Sequence, residues 1–179
     1  MKNITCCFTG HRNILEKEFL EIQKRLKIEI IKLIEQGVCY FGSGGAMGFD
    51  IMAAQAVIEL KSIYKHIKLI LVLPCKEHTI NWKQKDNNKF DYIFKKADKI
   101  VYISEHYYKG CMHKRNRHLV ENSGFCICYL TKTSGGTMYT ADYAVKTICL
   151  FIISPYTCKI LQFLRTRNDV FFVKYKFFF

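Results

Sequence analysis

The stretch Tyr40-Phe-Gly-Ser-Gly-Gly-Ala-Met-Gly-Phe-Asp50 sets the reading of the whole chain. An apolar run at 38–41 enters it, and a helix-forming run at 51–60 leaves it. Gly42, Gly44, Gly45 and Gly48 let the backbone turn tightly and approach a ligand with no Cβ in between. Free N–H groups at the start of the following helix favour an anion at the turn. Strand, glycine turn and helix together make a phosphate-holding arrangement. No Gly-Lys-Ser/Thr follows, so it is not a P-loop, and the glycine spacing departs from G-x-G-x-x-G. The competing reading is a turn that only closes a strand–helix unit.

Outward from this turn, strands and helices alternate. Residues 4–8 read as a first strand, with Thr9-Gly-His-Arg12 as its exit. Residues 15–36 carry Phe19, Ile22, Leu26, Ile30 and Leu33 at helical spacing, with Glu21 and Arg25 as an i,i+4 pair. Gly37 stops that helix. In the helix after the glycine turn, Met52, Ala53, Ala56, Val57 and Leu60 face the core, and its alanines suit close packing on a sheet. Residues 67–73 form a continuous apolar run closed by Pro74, as in a strand buried on both faces. A polar stretch at 76–89 precedes a helix at 92–97 and a strand at 99–103. A helix near 112–122, a strand at 125–130, a second glycine turn at 133–137, a helix from 141 and a strand at 148–153 complete the pattern. This alternation predicts an α/β fold: one domain over 1–153, with a mostly parallel sheet and helices on both faces. Ligands bind such sheets beyond the carboxyl ends of the strands. Three polar or glycine-rich exits, at 9–12, 42–50 and 133–140, meet there on this reading.

A chain of 179 residues, half of it hydrophobic, can build a full core. No apolar run approaches the ~20 residues of a membrane span, and the N-terminus reads as a strand rather than a signal peptide. The nine cysteines are odd in number and mostly lie in apolar runs, which points to reduced thiols in a cytoplasmic protein. A net charge of +13 favours anionic partners: nucleotides, nucleic acid or acidic surfaces. Residues 154–179 lose the periodicity and form a divergent aromatic and basic tail; only there do aromatic and basic residues interleave.

Several side chains could carry chemistry. Gly10, His11 and Arg12 follow the first strand, and the Arg12 fork suits a phosphate or carboxylate, or a surface ion pair. Ser43 sits within the glycine turn. Asp50 opens a helix, where a carboxylate is favoured on dipole grounds alone, or where it could bind a ribose hydroxyl. Met112-His-Lys-Arg-Asn-Arg-His118 is the densest basic segment; it is either a solvated helix face or a ligand contact through Arg115. Cys111, His113 and His118 fit no standard zinc spacing, so no metal is expected. Cys126 and Cys128 share one strand face and read as core. Ser134, Gly135, Gly136, Thr137 and Thr140 make a second phosphate-loop candidate from backbone N–H groups and hydroxyls.

Six segments in order give the chain a family resemblance: Cys7-Phe-Thr-Gly-His-Arg12, Gly44-Gly-Ala-Met-Gly-Phe-Asp50, Lys68-Leu-Ile-Leu-Val-Leu-Pro-Cys75, Ala97-Asp-Lys-Ile-Val-Tyr102, Gly110-Cys-Met-His-Lys-Arg-Asn-Arg-His118 and Gly135-Gly-Thr137. It resembles the YpsA-like members of the SLOG superfamily, the Rossmann-like group that includes the DprA/Smf and LOG proteins. The resemblance covers residues 4 to about 153 and does not extend into the tail. It implies a Rossmann-like fold that binds a nucleotide or nucleotide-derived ligand at the two glycine loops. LOG enzymes cleave the N-glycosidic bond of nucleoside monophosphates. They carry an arginine in a Met-His-x-Arg segment and a glutamate after a Gly-Gly-x-Gly-Thr turn. Met112-His-Lys-Arg115 keeps the first part, but the segment from Gly135 to Asp142 has no glutamate. Arg115 and Asp142 would be the catalytic pair only if the chain hydrolyses such a substrate.

The reading therefore leans away from catalysis. Binding or sensing of a nucleotide-like small molecule comes first, with no cofactor required and a homodimer left open. A LOG-like phosphoribohydrolase and a DprA-like binder of single-stranded nucleic acid are the alternatives.

Overall fold

The computed structural model describes residues 1–152, with side chains as far as residue 148. The 154–179 tail lies outside the described residues. After a 3-10 turn (Lys2–Ile4), the elements alternate without a break: β1 (Thr5–Gly10), α1 (Glu16–Glu35), β2 (Tyr40–Ser43), α2 (Phe49–Leu60), β3 (Lys68–Leu73), α3 (Gln84–Lys96), β4 (Lys99–Tyr102), α4 (Cys111–Glu121), β5 (Phe125–Tyr129), α5 (Gly136–Thr147) and β6 (Cys149–Ile152). The six strands form one sheet in the order β4-β3-β2-β1-β5-β6. Every pairing is parallel.

The period of two along each strand divides the core into two layers. Cys6, Phe8, Leu69, Leu71 and Leu73 face one side, where α1, α2 and α3 pack. Cys7, Val72, Cys126 and Cys128 face the other, under α4 and α5. The two cysteines of β5 are core, as their spacing requires. Ala53, Ala54 and Ala56 are fully buried and let α2 lie close against the sheet. Ile22, Leu26, Ile30 and Leu33 form the inner stripe of α1, whereas Phe19 stands 41% exposed, so the stripe begins one turn later than its spacing implies. That helix ends as Gly37 requires. Gly37 takes φ 92°. Its N–H and that of Val38 close back onto the carbonyls of Ile34 and Leu33 at 2.9 Å.

The strands lie within two residues of their expected bounds. Two helices do not. The polar stretch at 84–91 is helical, so α3 is twice as long as its apolar half suggests: Phe90 and Ile93 are its buried residues, Phe94 packs partly buried beside them, and most of the remaining side chains face solvent. Likewise α5 starts at Gly136, inside the stretch expected to be a turn, because Gly135 at φ 88° already serves as its N-cap.

The order of the strands positions the site. From β1 the chain steps outward through β2, β3 and β4, with α1, α2 and α3 on one face. It then returns over the other face through α4 to place β5 beside β1. The direction reverses between β1 and β5, and a crevice opens there above their carboxyl ends.

Candidate functional site

A cavity of about 430 Å³ fills that crevice. Its walls come from the exit of β1 (Thr9 to Asn13), the start of α2 (Ala46, Asp50), the first turns of α4 (Met112, His113, Arg115, Asn116), and the β5–α5 junction (Thr131, Lys132, Gly136, Thr137). The N-terminal ends of three helices therefore face one space, and their dipoles bias it towards negative charge.

The exit of β1 is pinned from several sides. The His11 N–H donates to the Tyr129 carbonyl, and the His11 carbonyl accepts from Phe49 N–H, both at 3.2 Å. Its ring Nε2 lies 3.2 Å from the Lys132 N–H and accepts from it, which puts the ring proton on Nδ1. Burial, and then the nearby Lys132 ammonium, hold this imidazole below its ordinary pKa, so it is neutral at pH 7. Thr137 Oγ1 donates to the Gly10 carbonyl at 3.1 Å, tying α5 to β1. Gly10 must lack a side chain: a Cβ there would lie 2.4 Å from the Phe49 ring.

The floor is an ion pair. Asp50 and Arg115 are 5% and 6% exposed. Arg115 Nη1 donates to Asp50 Oδ2 at 3.2 Å, and the same oxygen accepts from the Ala46 N–H at 3.4 Å. Burial pushes the Asp50 carboxyl upward, against the pull of Arg115. It pulls the Arg115 guanidinium downward, against Asp50. A guanidinium does not deprotonate near neutral pH, and Arg115 meets Asp50 with ion-pair geometry. Arg115 Nε is buried with no hydrogen-bond partner.

This pair explains the glycine turn. Gly44 lies directly under the guanidinium, and a Cβ there would meet Nη1 at 1.2 Å. Gly45 (φ 63°) passes under Leu73 and Phe90, and Gly48 (φ 77°) passes against the Arg12 carbonyl. Gly42 is inside β2, with Leu119 3.0 Å from a built Cβ. Ser43 Oγ donates to the Asp50 carbonyl at 2.9 Å and accepts from the Gly45 N–H at 3.2 Å. The turn's close approach is thus to the chain's own Arg115 and Arg12.

Of the residues singled out by sequence, Gly10, His11, Arg12, Asp50, Arg115, Gly136 and Thr137 meet at the cavity. Gly42, Ser43, Gly44, Gly45 and Gly48 support it from below rather than lining it. Ser134 and Gly135 are exposed beside it. Thr140 is turned inward: its hydroxyl donates to the Gly136 carbonyl at 2.9 Å and accepts from Asn116 Nδ2 at 2.8 Å. Asp142, two turns into α5, is not on the wall. Lys132 and Asn13 are wall residues that no motif marked, and Asn116 is a wall residue within the basic segment whose own role was not singled out. Lys132 had one signal, its place just before a glycine turn at the same sheet edge. Among the described residues no His, Cys, Asp or Glu cluster has the makings of a metal site.

A sequence model of the YpsA family, described as the YspA SLOG family, matches residues 7–164. The chain belongs to the YpsA family of SLOG proteins. Among its relatives, a UPF0398 protein of Halalkalibacterium halodurans is 32% identical over 128 residues, 70% of this chain and 68% of that one. The UPF0398 protein YpsA of Bacillus subtilis is 22% identical over 134 residues, 73% and 74% of the two chains. Two solved structures share the fold. DNA processing protein A from Helicobacter pylori, described for its single-stranded DNA binding mode, aligns with a TM-score of 0.64 at 21% identity, over 93% of this chain and 80% of its own. The same-named protein (DprA) from Streptococcus pneumoniae aligns with a TM-score of 0.60 at 18% identity, over 83% and 49%. No helix among the described residues is long and apolar enough to cross a membrane.

Proposed function

We propose that this YpsA-family domain binds the phosphorylated part of a nucleotide or nucleotide-derived small molecule in the cavity between β1 and β5. One observation carries the reading: α5 opens into the cavity with no side chain capping it, and three cations surround that opening. The first N–H groups of α5 have no helical acceptor, and Gly136 and Thr137 line the wall. Arg12 and Lys132 supply positive charge from the walls, and Arg115 supplies it from the floor, where it is paired with Asp50. Asp50 uses only Oδ2 within the protein; Oδ1 remains as an acceptor for a sugar hydroxyl. No cofactor is needed for binding. The described cysteines are all free thiols, which suits a reducing, cytoplasmic setting.

The test is a thermal-shift and calorimetry panel of nucleoside mono- and diphosphates, with inorganic phosphate as control. A ligand at about 100 times its Kd adds about 2.7 kcal/mol to stability. A shift that is roughly halved in Arg12→Ala at the same ligand concentration supports the reading. No shift with any phosphorylated nucleoside overturns it. Hydrolysis has weaker support than binding, because among the described residues Asp142 is off the wall and Asp50 is the one carboxylate on it. Release of free base from a bound nucleoside monophosphate, lost in Asp50→Asn, would move the function to an N-glycosidase.

A second reading is single-stranded nucleic acid as the partner. The net charge of +13 supports it, as does the fold shared with a DprA protein described for single-stranded DNA binding.

A further inference from the structure

The sequence interleaves aromatic and basic residues only in the tail, but folding assembles such a surface inside the domain. The loop joining β4 to α4 presents Tyr107 and Tyr108, 63% and 41% exposed. The loop that carries them is tied down: Lys76 N–H donates to the Glu105 carbonyl at 3.2 Å, Lys76 Nζ pairs with the Glu105 carboxylate, and His106 Nδ1 meets Glu77 Oε1 at 2.9 Å. Tyr108 also caps the turn into α4, its carbonyl accepting from Cys111 N–H at 3.1 Å. Two flat apolar faces are therefore held in water at the start of α4.

The outer surface of α4, the helix that this loop leads into, carries exposed cations. Lys114 is exposed, and Arg117 lies one turn further on. Arg117 Nε donates to the Tyr139 hydroxyl at 2.7 Å, and its guanidinium carbon sits 5.6 Å from the Tyr139 ring and 5.8 Å from the Tyr143 ring. It is a fixed, planar cation between two aromatic rings. His113, on the cavity wall, packs edge-on against Tyr139 at 4.9 Å, so the patch runs continuously into the cavity mouth. The acids nearby are already engaged: Glu121 accepts from Tyr143 Oη at 2.8 Å, Glu105 and Glu77 hold the loop, and Asp142 has a partner of its own.

We infer that this surface, from Tyr107 and Tyr108 across Lys114 and Arg117 to the cavity mouth, binds single-stranded nucleic acid. The inference rests on the second functional reading above and gives it an address. Unpaired bases stack on the exposed tyrosines, and the backbone phosphates run over Lys114 and Arg117. Stacking on a ring face needs no particular base, so the surface tolerates any sequence and rejects a duplex, whose bases are not free to stack.

The experiment is fluorescence anisotropy with a labelled oligothymidylate of about 20 nucleotides, long enough to span such a site. A duplex of the same length and vesicles of phosphatidylglycerol serve as controls. Wild-type protein should bind the single strand and prefer it to the duplex, with affinity falling steeply between about 50 and 200 mM salt. Tyr107→Ala should weaken binding by at least about five-fold, the loss of one base–aromatic stack. Lys114→Ala should lower the log–log salt slope by about 0.7, one phosphate contact. Both positions are exposed, so the melting temperature should not move. A nucleotide-induced thermal shift retained in both variants separates this surface from the cavity. The inference is overturned by no single-strand binding at the lower salt, by binding unchanged in both variants, or by binding to vesicles alone.

Discussion

Replacing Gly44 with alanine isolates the contact on which the floor of the cavity depends. The Gly44 backbone is not in the left-handed region, so a methyl group there meets only what stands above it. It would lie 1.2 Å from Arg115 Nη1, 2.4 Å from Cζ and 2.7 Å from Asp50 Oδ2. No small shift accommodates the first two contacts, and the guanidinium must leave Asp50. Separating a buried ion pair by deleting one partner costs about 3–5 kcal/mol, because a buried charge is left behind. Here the expelled guanidinium can turn into the cavity and recover water, which removes part of that cost. Asp50 stays behind with the Ala46 N–H alone. The expected loss is therefore about 2–4 kcal/mol, a fall in Tm of roughly 2–4 °C per kcal/mol for a domain of this size. Urea unfolding measures it as a lower midpoint at unchanged slope. The decisive step is a double-mutant cycle with Arg115→Ala. With the guanidinium gone, the added methyl fills space instead of displacing a charge, and only the Asp50 oxygen still crowds it. The cost of Gly44→Ala should then fall below about 1 kcal/mol, since Gly→Ala at a compatible backbone is itself stabilising by about 0.4–1 kcal/mol. An equal cost in both backgrounds, or no cost in either, would refute the claim that the glycine turn exists to seat Arg115.

Gly10→Ala should destabilise by about 1–3 kcal/mol through overpacking, because its methyl lands 2.4–2.5 Å from the Phe49 side chain, and urea unfolding checks this. His78 has a pKa lowered to about 4, chiefly by burial, with Phe90 4.9 Å and Trp82 5.6 Å from its ring. Its stabilisation is therefore full above the unfolded value of about 6.5 and is lost as pH falls from there towards 4, by at most about 3 kcal/mol and less for the solvent-reached part of the ring. Unfolding midpoints at pH 7.5 and 5 should diverge less in His78→Phe than in the wild type. Arg12→Ala and Lys132→Ala should leave Tm unchanged, since both side chains are exposed, and should each weaken phosphorylated-nucleoside binding about ten-fold in calorimetry, the loss of a charge-assisted hydrogen bond.

The sheet was legible because its strands are buried on both faces and read as short apolar runs between turn residues. The long stripe of α1 and the Gly37 stop were legible for the same reason: local pattern and tertiary role agree. Residues 84–91 were not. Gln84, Lys85, Asp86, Asn87 and Asn88 carry no apolar period, and they are helical because Phe90 and Ile93, one turn beyond, anchor the segment against the core. The site divides along a similar line. Residues next to strand ends, such as His11, Arg12 and Thr137, are placed by the topology, and the topology follows from the strand pattern. What Gly44 approaches is fixed instead by Arg115, which lies 65 residues from Asp50 in the chain and reaches it only because α4 returns over the sheet. Nothing local in a glycine turn distinguishes room for a phosphate from room for a guanidinium. The surface of Tyr107, Lys114, Arg117 and Tyr139 was hidden likewise, since its rings and cations come from a loop and two helices.

The buried pair also fits the reading of the cavity as a binding site better than a purely structural one. For stability alone, a packed apolar pair at positions 50 and 115 would serve as well or better, because the desolvation of two buried charges offsets much of their attraction. The arrangement kept here spends only part of its hydrogen-bonding capacity on the fold. Asp50 Oδ2 is used twice and Oδ1 not at all, while Arg115 Nε has no partner. A pair of this kind holds both charges at fixed positions beneath a cavity that three helix N-termini already bias towards an anion. A ligand joining a phosphate to a polyhydroxyl group meets an acceptor on the floor and donors on the walls without the protein first reorganising them. On the proposed reading, that preorganisation is where the binding free energy would come from, and it would give the unfavourable burial of Asp50 and Arg115 a function.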